Sequence, residues 1–466
     1  MLSRKTKTAI ALISAAVIVA AGFLTAVPSF YSARKRAIII VPGILNSALV
    51  DTATDEVVFD PLETDENGYC YDEIINPNKT FSIVADIALH TDILKKLAAV
   101  FNGDKNNFLS MWSVDDDGTS TVKTIKAADW SRDGYCRYGA LEAAYVPYSY
   151  YYNLYGNDPN TDIFVFQYDW RLDNRLAAAE LVKAAESYDD VILYGHSMGN
   201  LVTSLALASS EELRDKVILN VSCAAPYYGS YQALDILENG EETVDSLLGQ
   251  AENFVSGNSL AYFLLHDVIS QARTLCYDTV LPMFRKFPGV IDLLPTIELV
   301  CPDGENSTLS VDGVWIKTRE QLLSYYQGCA WAYNTDGTMR SWVKNLGNYW
   351  DASYVNGVHA SKLVNTVYIA GTGINSIKTM SVETSEPRHA CVKTYSKEGD
   401  GTVELGSAVL GDADGSNVKL LYGFDHLQAG HDYADGLGAA SASAYGTVDN
   451  SFKLLWQKIK KGLSND

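Results

Sequence analysis

The chain has 466 residues, of which 47% are hydrophobic, 11% aromatic and 20% charged, and its formal net charge is −21 at pH 7. That much apolar material excludes a disordered, collagenous or coiled-coil chain, and no 20–50-residue period marks a solenoid. The acidic excess argues against nucleic acid as a partner, because phosphates would be repelled.

Residues 1–36 hold six basic side chains and no acid, which leaves residues 37–466 with a net charge of −27. Between the basic flanks, residues 9–27 read AIALISAAVIVAAGFLTAV, without a charge. As a helix this run spans about 28 Å, close to the thickness of a bilayer's hydrocarbon core. Residues 1–36 are therefore expected to be an N-terminal membrane anchor, with a cleaved signal segment as the alternative. Either way the folded body is expected outside the cytoplasm, anchored by a single helix or secreted.

The run AIIIVPG (37–43) reads as a buried strand stopped by Pro-Gly. Residues 50–135 are polar and turn-rich, with a hairpin expected at VDDDGTSTV (114–122). Consecutive aspartates there, and Asp412 and Asp414 later, lack the alternate spacing of a calcium loop and read as turns. From residue 137 helices and short apolar runs alternate: helix 139–155, strand IFVFQY (163–168), helix 174–187, strand VILYG (191–195), a helix from about 198, and strand KVILNVS (216–222). Such alternation predicts a mostly parallel sheet wrapped by helices. Residues 231–360 break the rhythm with amphipathic helical pieces and read as an insertion. The rhythm returns at TVYIAGTG (366–373) and NVKLLYGF (417–424), and a helix is expected near 450–463. Residues 37–230 and 361–466 are thus expected to form the two parts of one core. The seven cysteines form no CxxC pair, so neither a zinc ribbon nor a dithiol site is expected.

Gly195-His196-Ser197-Met198-Gly199 follows VILYG and precedes an apolar helical stretch. In that context GxSxG reads as a nucleophile elbow, a tight strand-to-helix turn that presents a serine hydroxyl above the sheet. Serine needs a base and an orienting acid, which in this fold class follow in the order Ser, Asp, His. Asp400, in KEGDGTV, lies on a loop after the late strand. His426 and His431 follow it; His426 is nearer the strand end and is preferred, whereas His389 precedes Asp400 and breaks the order. Oxyanion donors are expected from the backbone of Met198 and from the loop Val41-Pro42-Gly43-Ile44.

Together these pieces resemble the lecithin:cholesterol acyltransferase and lysosomal phospholipase A2-like family of α/β-hydrolases. The resemblance rests on VPGILNSAL (41–49), YDWRL (168–172), GHSMG (195–199), APYYGS (225–230), FPGVIDLLP (287–295), YIAGTG, GDGTV and DHL, in the family's order. It implies an α/β-hydrolase fold with residues 231–360 as a cap or lid. It also implies Ser197, Asp400 and His426 as triad, Ile44 and Met198 as oxyanion donors, a lipid ester as substrate, and no metal or cofactor. Asn46 and Gly289 stand where relatives often have glycine and serine, and no neighbouring cysteines mark a lid disulfide; Cys70 and Cys136 are far apart. Hydrolysis and acyl transfer to an alcohol use the same triad. A short-chain or cell-wall esterase and a catalytically idle surface-binding protein are the other readings. The tyrosines at 145, 148, 150, 151, 152 and 155, and the basic-apolar stretch 450–463, are expected to pack on the core. Trp170 and Arg171 are expected to brace the site or form a structural ion pair.

Overall fold

The computed structural model describes residues 34–54, 56–59, 112–122, 124–127, 156–256, 273–274, 276–385, 390–426 and 429. The apolar run 9–27, the tyrosine-rich stretch 139–155, Cys70, Cys136, His389, His431 and the stretch 450–463 lie outside these residues. No helix among the described residues is long and apolar enough to cross a membrane.

The first strand, β1 (Arg36–Val41), is buried from Ala37 onward. It is followed by β2 (Leu49–Asp51), β3 (Glu56–Phe59) and β4 (Ile125–Ala127), which form a small antiparallel sheet ordered β3-β2-β4. The regular alternation then runs β5 (Thr161–Val165), α1 (Asn174–Ala185), β6 (Asp190–His196), α2 (Gly199–Ser209), α3 (Glu211–Lys216) and β7 (Val217–Cys223). A kinked helix, α4 (Tyr231–Ser256), opens the intervening region; within it lie β8 (Leu309–Val311), β9 (Val314–Trp315), β10 (Tyr354–Val355) and β11 (Val358–His359). The chain then forms β12 (Thr366–Thr372), β13 (Ser376–Glu383), β14 (Ala390–Ser396) and β15 (Val418–Tyr422).

Six strands make the central sheet, in the order β15-β12-β7-β6-β1-β5, and every pairing is parallel. Side chains on a strand alternate between faces, so the near-continuous apolar runs of β1 and β6 bury both faces. Ile39, Val41, Val191 and Leu193 meet Leu181 of α1 and Leu201, Val202 and Leu205 of α2; Ile38, Ile40, Ile192 and Tyr194 form a second cluster with Leu219 and Val221. Asp173 caps α1, its carboxylate accepting from Arg175 N at 2.9 Å.

The expected hairpin at 114–122 is present, with Val114 bridged antiparallel to Ser120. The strand expected at 163–168 instead ends at Val165. Phe166 N still donates to Ile40 O at 2.7 Å, but Tyr168 N turns to Ser47 Oγ at 3.3 Å, so YDWRL leaves the sheet to meet the loop after β1. The region 231–360, which breaks the alternation of strands and helices, contains four strands, each of two or three residues and too short to show a periodicity of two. β8 and β9 join β13 and β14 in a second sheet ordered β14-β13-β8-β9. Lys393 of β14 ties this sheet to α4 through Asp235, at 2.9 and 3.0 Å, and Glu242, at 3.1 Å.

Candidate active site

The turn between β6 and α2 is held under backbone strain. Ser197 has φ +52°, a left-handed conformation that a side-chain-bearing residue rarely adopts. Its neighbours make room for it. A Cβ on Gly195 would collide with the side chain of Asn200, one on Gly199 would strike the carbonyls of Val41 and Pro42, and one on Gly43 would lie 2.8 Å from Ser197 Cβ. Asn200 Nδ2 fastens the turn by donating to Ser197 O at 3.2 Å and to Cys223 O at 2.9 Å. The small residues of GHSMG are thus a packing requirement that lets three backbone segments converge on one hydroxyl.

Ser197 Oγ lies 2.8 Å from His426 Nε2, and His426 Nδ1 lies 2.8 Å from Asp400 Oδ2. The three residues come from the ends of three different segments: the β6–α2 turn, the loop after β15 and the loop after β14. Asp400 is 2% exposed, and its other oxygen accepts from Val403 N at 2.7 Å and Thr402 N at 3.0 Å. Both oxygens are therefore bonded and the carboxyl has one orientation. The structure brings together Ser197, His426 and Asp400 in hydrogen-bonded sequence. In this geometry Nε2 is placed to accept a proton from Ser197 while Nδ1 donates to Asp400.

Met198 is buried at the start of α2, and the loop Pro42–Leu45 lies directly against Ser197, as the close approach of Gly43 shows. Among the described residues neither Ile44 N nor Met198 N has a hydrogen-bond acceptor, whereas Ser197 N is engaged with Cys223 O at 3.0 Å. N–H groups without an acceptor are what an oxyanion requires.

YDWRL shapes that loop. Tyr168 OH donates to Pro42 O at 2.8 Å, and Trp170 Nε1 donates to Ser47 O at 3.3 Å. Trp170 and Arg171 are completely buried. The Arg171 guanidinium pairs with Asp169, at 2.6 and 2.8 Å, and reaches Trp112 O at 2.8 Å and Ser120 Oγ at 3.2 Å, which pins the 112–122 hairpin to the site's back wall. Phe287 packs edge-on against Trp170 at 5.7 Å. Gly289 N donates to Arg171 O at 3.1 Å, and a Cβ at 289 would collide with Trp170 O. The glycine that departs from the family pattern is the residue this contact admits.

APYYGS clasps the acid-bearing loop. Ser230 Oγ donates to Thr402 O, Ser407 Oγ donates to Gly229 O at 2.7 Å, and Tyr231 N donates to Glu404 Oε1 at 3.2 Å. Burial, reinforced by nearby Asp400, pushes the Glu404 carboxyl up to about 8, so it keeps its proton at neutral pH. Gly401 N is held by Ser376 Oγ at 2.9 Å. Sequence reasoning passed over Ser376, Glu404 and Ser407, because each contributes through a partner well outside its own local segment, 25 residues away for Ser376 and more than a hundred for the other two. It also passed over His196, which lies inside the elbow motif and has no separate signature in sequence. Its Nε2 is 2.9 Å from His426 O, and burial drives its basicity down to about 3.

The family model described as lecithin:cholesterol acyltransferase matches residues 143–260, a segment that holds YDWRL, GHSMG and APYYGS but neither Asp400 nor His426. No curated protein matches in sequence. Among solved structures, a chain of the crystal structure of the Tle4–Tli4 complex superimposes with a TM-score of 0.50 at 13% identity, covering 90% of this chain and 98% of that one. At such identity the likeness concerns the fold alone. The chain resembles the lecithin:cholesterol acyltransferase-like family, and its fold is that of an α/β-hydrolase. These similarities support an enzyme acting on ester bonds, by hydrolysis or by acyl transfer.

Proposed function

We propose that this protein is a serine lipase or acyltransferase that cleaves a lipid ester through an acyl-enzyme. The observation that carries the proposal is the unbroken chain from Asp400 Oδ2 through His426 to Ser197 Oγ, 2.8 Å at each link. Ser197 Oγ attacks the ester carbonyl as His426 Nε2 takes its proton. The imidazolium that forms is held by Asp400, and the tetrahedral oxyanion is met by the N–H groups of Ile44 and Met198. Collapse expels the alcohol, which leaves with the proton from His426, and the acyl group stays on Ser197. Water or an alcohol then repeats the sequence in reverse. Which acceptor wins depends on water access to the acyl-enzyme. The family resemblance favours a lipid acyl donor, and the apolar run 9–27 would hold the site beside its substrate as a single N-terminal anchor with the body outside the cytoplasm.

Fluorophosphonate labelling of the full chain, with and without detergent micelles, tests the assignment beside Ser197→Ala. Wild-type protein is expected to label, the variant not to, and its esterase activity to fall by at least about 10³-fold. A Ser197→Ala protein that keeps its activity overturns the reading. Adding a long-chain alcohol separates the two reactions: alkyl ester formation means transfer, and free fatty acid alone at every alcohol level means hydrolysis. Resistance of the membrane-bound chain to alkaline carbonate extraction is the expected sign of the anchor, and full release would sink it.

A further inference from the structure

His196 precedes the proposed nucleophile, and its ring reaches the loop that carries the proposed base. Its Nε2 is 2.9 Å from the backbone carbonyl of His426. A carbonyl oxygen can only accept, so Nε2 carries the proton and Nδ1 is the bare nitrogen. That Nδ1 is buried and has no partner among the described residues. The two imidazoles lie 5.1 Å apart, centroid to centroid, tilted by 45°. His196 is 1% exposed and sits at the last residue of β6, a rigid central strand paired through Cys223 to β7. His426 is at the opposite extreme of constraint, four residues beyond the end of the edge strand β15.

We propose that His196 is a positioning residue: its Nε2–H fixes the His426 carbonyl, and with it the backbone of the base, at the height where Nε2 of His426 meets Ser197. This rests on the proposed triad. The argument is geometric. Side-chain bonds to Ser197 and Asp400 set the ring's direction, but both partners can be reached from a displaced backbone by compensating side-chain rotation. The bond to the main chain removes that freedom, and it comes from the residue adjacent to the nucleophile. One rigid turn therefore sets both members of the Ser–His pair relative to each other.

Charge explains why the post suits a histidine in this environment. The titratable groups facing His196 are His426 and Asp400, and burial keeps the His196 ring neutral at any working pH. When His426 becomes an imidazolium during turnover, the neighbouring ring adds no opposing positive charge. Lysine or arginine would supply a donor but also a cation beside the one being formed.

Three variants test this on the full chain, with steady-state kinetics on a p-nitrophenyl ester and thermal melts run in parallel. His196→Phe keeps an aromatic ring, somewhat larger than the imidazole, and removes the donor. It is expected to lower kcat about tenfold or more while KM changes less than twofold, because ester binding does not use the bond and proton transfer does. His196→Gln places an amide N–H where Nε2 was and is expected to recover most of the lost kcat. Ser197→Ala run alongside keeps the two ideas apart: activity retained near the wild-type level in that variant refutes the triad, whereas its fall by about 10³-fold with His196→Phe unchanged refutes only the role of His196. The proposal is also overturned if His196→Gln is as slow as His196→Phe while both melt like wild type. If His196→Phe does not fold, His196→Gln against His196→Met decides, with equal kcat in the two refuting the proposal.

Discussion

Asp400 and Glu404, four residues apart on one loop, show how environment separates two carboxyls of one turn. Asp400 has both oxygens bonded, to His426 and to two backbone N–H groups. Asp400→Asn preserves this shape but offers His426 Nδ1 an amide in place of an acceptor. Its kcat is expected to fall about 10³–10⁴-fold with a nearly unchanged melting temperature, measured by stopped assay and calorimetry. Glu404 is buried, and its carboxyl is raised to about 8 from an ordinary 4.5. The native state therefore holds this proton through a window in which the unfolded chain has released it. Stability from this group consequently falls as pH rises from about 4.5 to 8. Glu404→Gln removes that dependence and still accepts from Tyr231 N. Urea melts are expected to show it stabilised relative to wild type by about 1–3 kcal/mol at pH 8 and by much less at pH 5. A pH-independent difference would mean that Glu404 is ionised throughout.

At the scale of elements, the site is assembled by segments that leave the sheet. YDWRL exits β5 early and uses Tyr168 and Trp170 to hold the loop after β1, while FPGVIDLLP packs on its far side. Asp292 of that segment accepts from Asn174 N and Nδ2, both at 3.1 Å, and burial keeps its carboxyl well above the usual range, so the contact locks the segment to the start of α1. Tyr168→Phe strips one donor from Pro42 O in a buried place, at a cost of about 1–3 kcal/mol in stability. Because Pro42 borders the proposed oxyanion loop, kcat is also expected to drop several-fold at constant KM. Gly289→Ala forces a methyl group onto Trp170 O, and a loss of about 1–3 kcal/mol in a denaturant melt is expected. An unchanged midpoint would show that the two segments separate without cost.

For the whole molecule, net charge would govern the approach to a lipid surface that the proposed function requires. Residues 37–466 carry −27, and the basic residues at the junction are already engaged: Arg34 with Asp190 at 2.8 Å, and Arg36 with Asp190 at 3.4 Å and Asp158 at 3.9 Å. They offer little to anionic headgroups. Hydrolysis of an ester embedded in vesicles is expected to be slower on anionic than on zwitterionic bilayers at low salt. The gap should close as salt is raised, since screening shortens from about 30 Å at 0.01 M to about 3 Å at 1 M. A faster rate on anionic vesicles would mean that a local basic surface overrides the net charge.

The sequence by itself determined the parallel core, because buried parallel strands are continuous apolar runs bounded by turns and helical stretches alternate with them. It also marked Ser197 as the candidate nucleophile, whose strained turn demands glycines at fixed spacing, and chain order left Asp400 as candidate acid with His426 and His431 as candidate bases, His426 preferred as nearer the strand end. Local chemistry leaves marks of this kind within five or six residues. Only the tertiary structure decided the rest. The short strands β8 and β9 acquire their identity by pairing with β13, and so carry no periodicity of their own. Ser376, Ser407 and Glu404 matter through hydrogen bonds whose partners lie elsewhere in the chain. His196 stood in plain view inside the elbow, but its contact with the His426 carbonyl spans 230 residues, and only the loop after β15, reaching the end of β6, brings the two together.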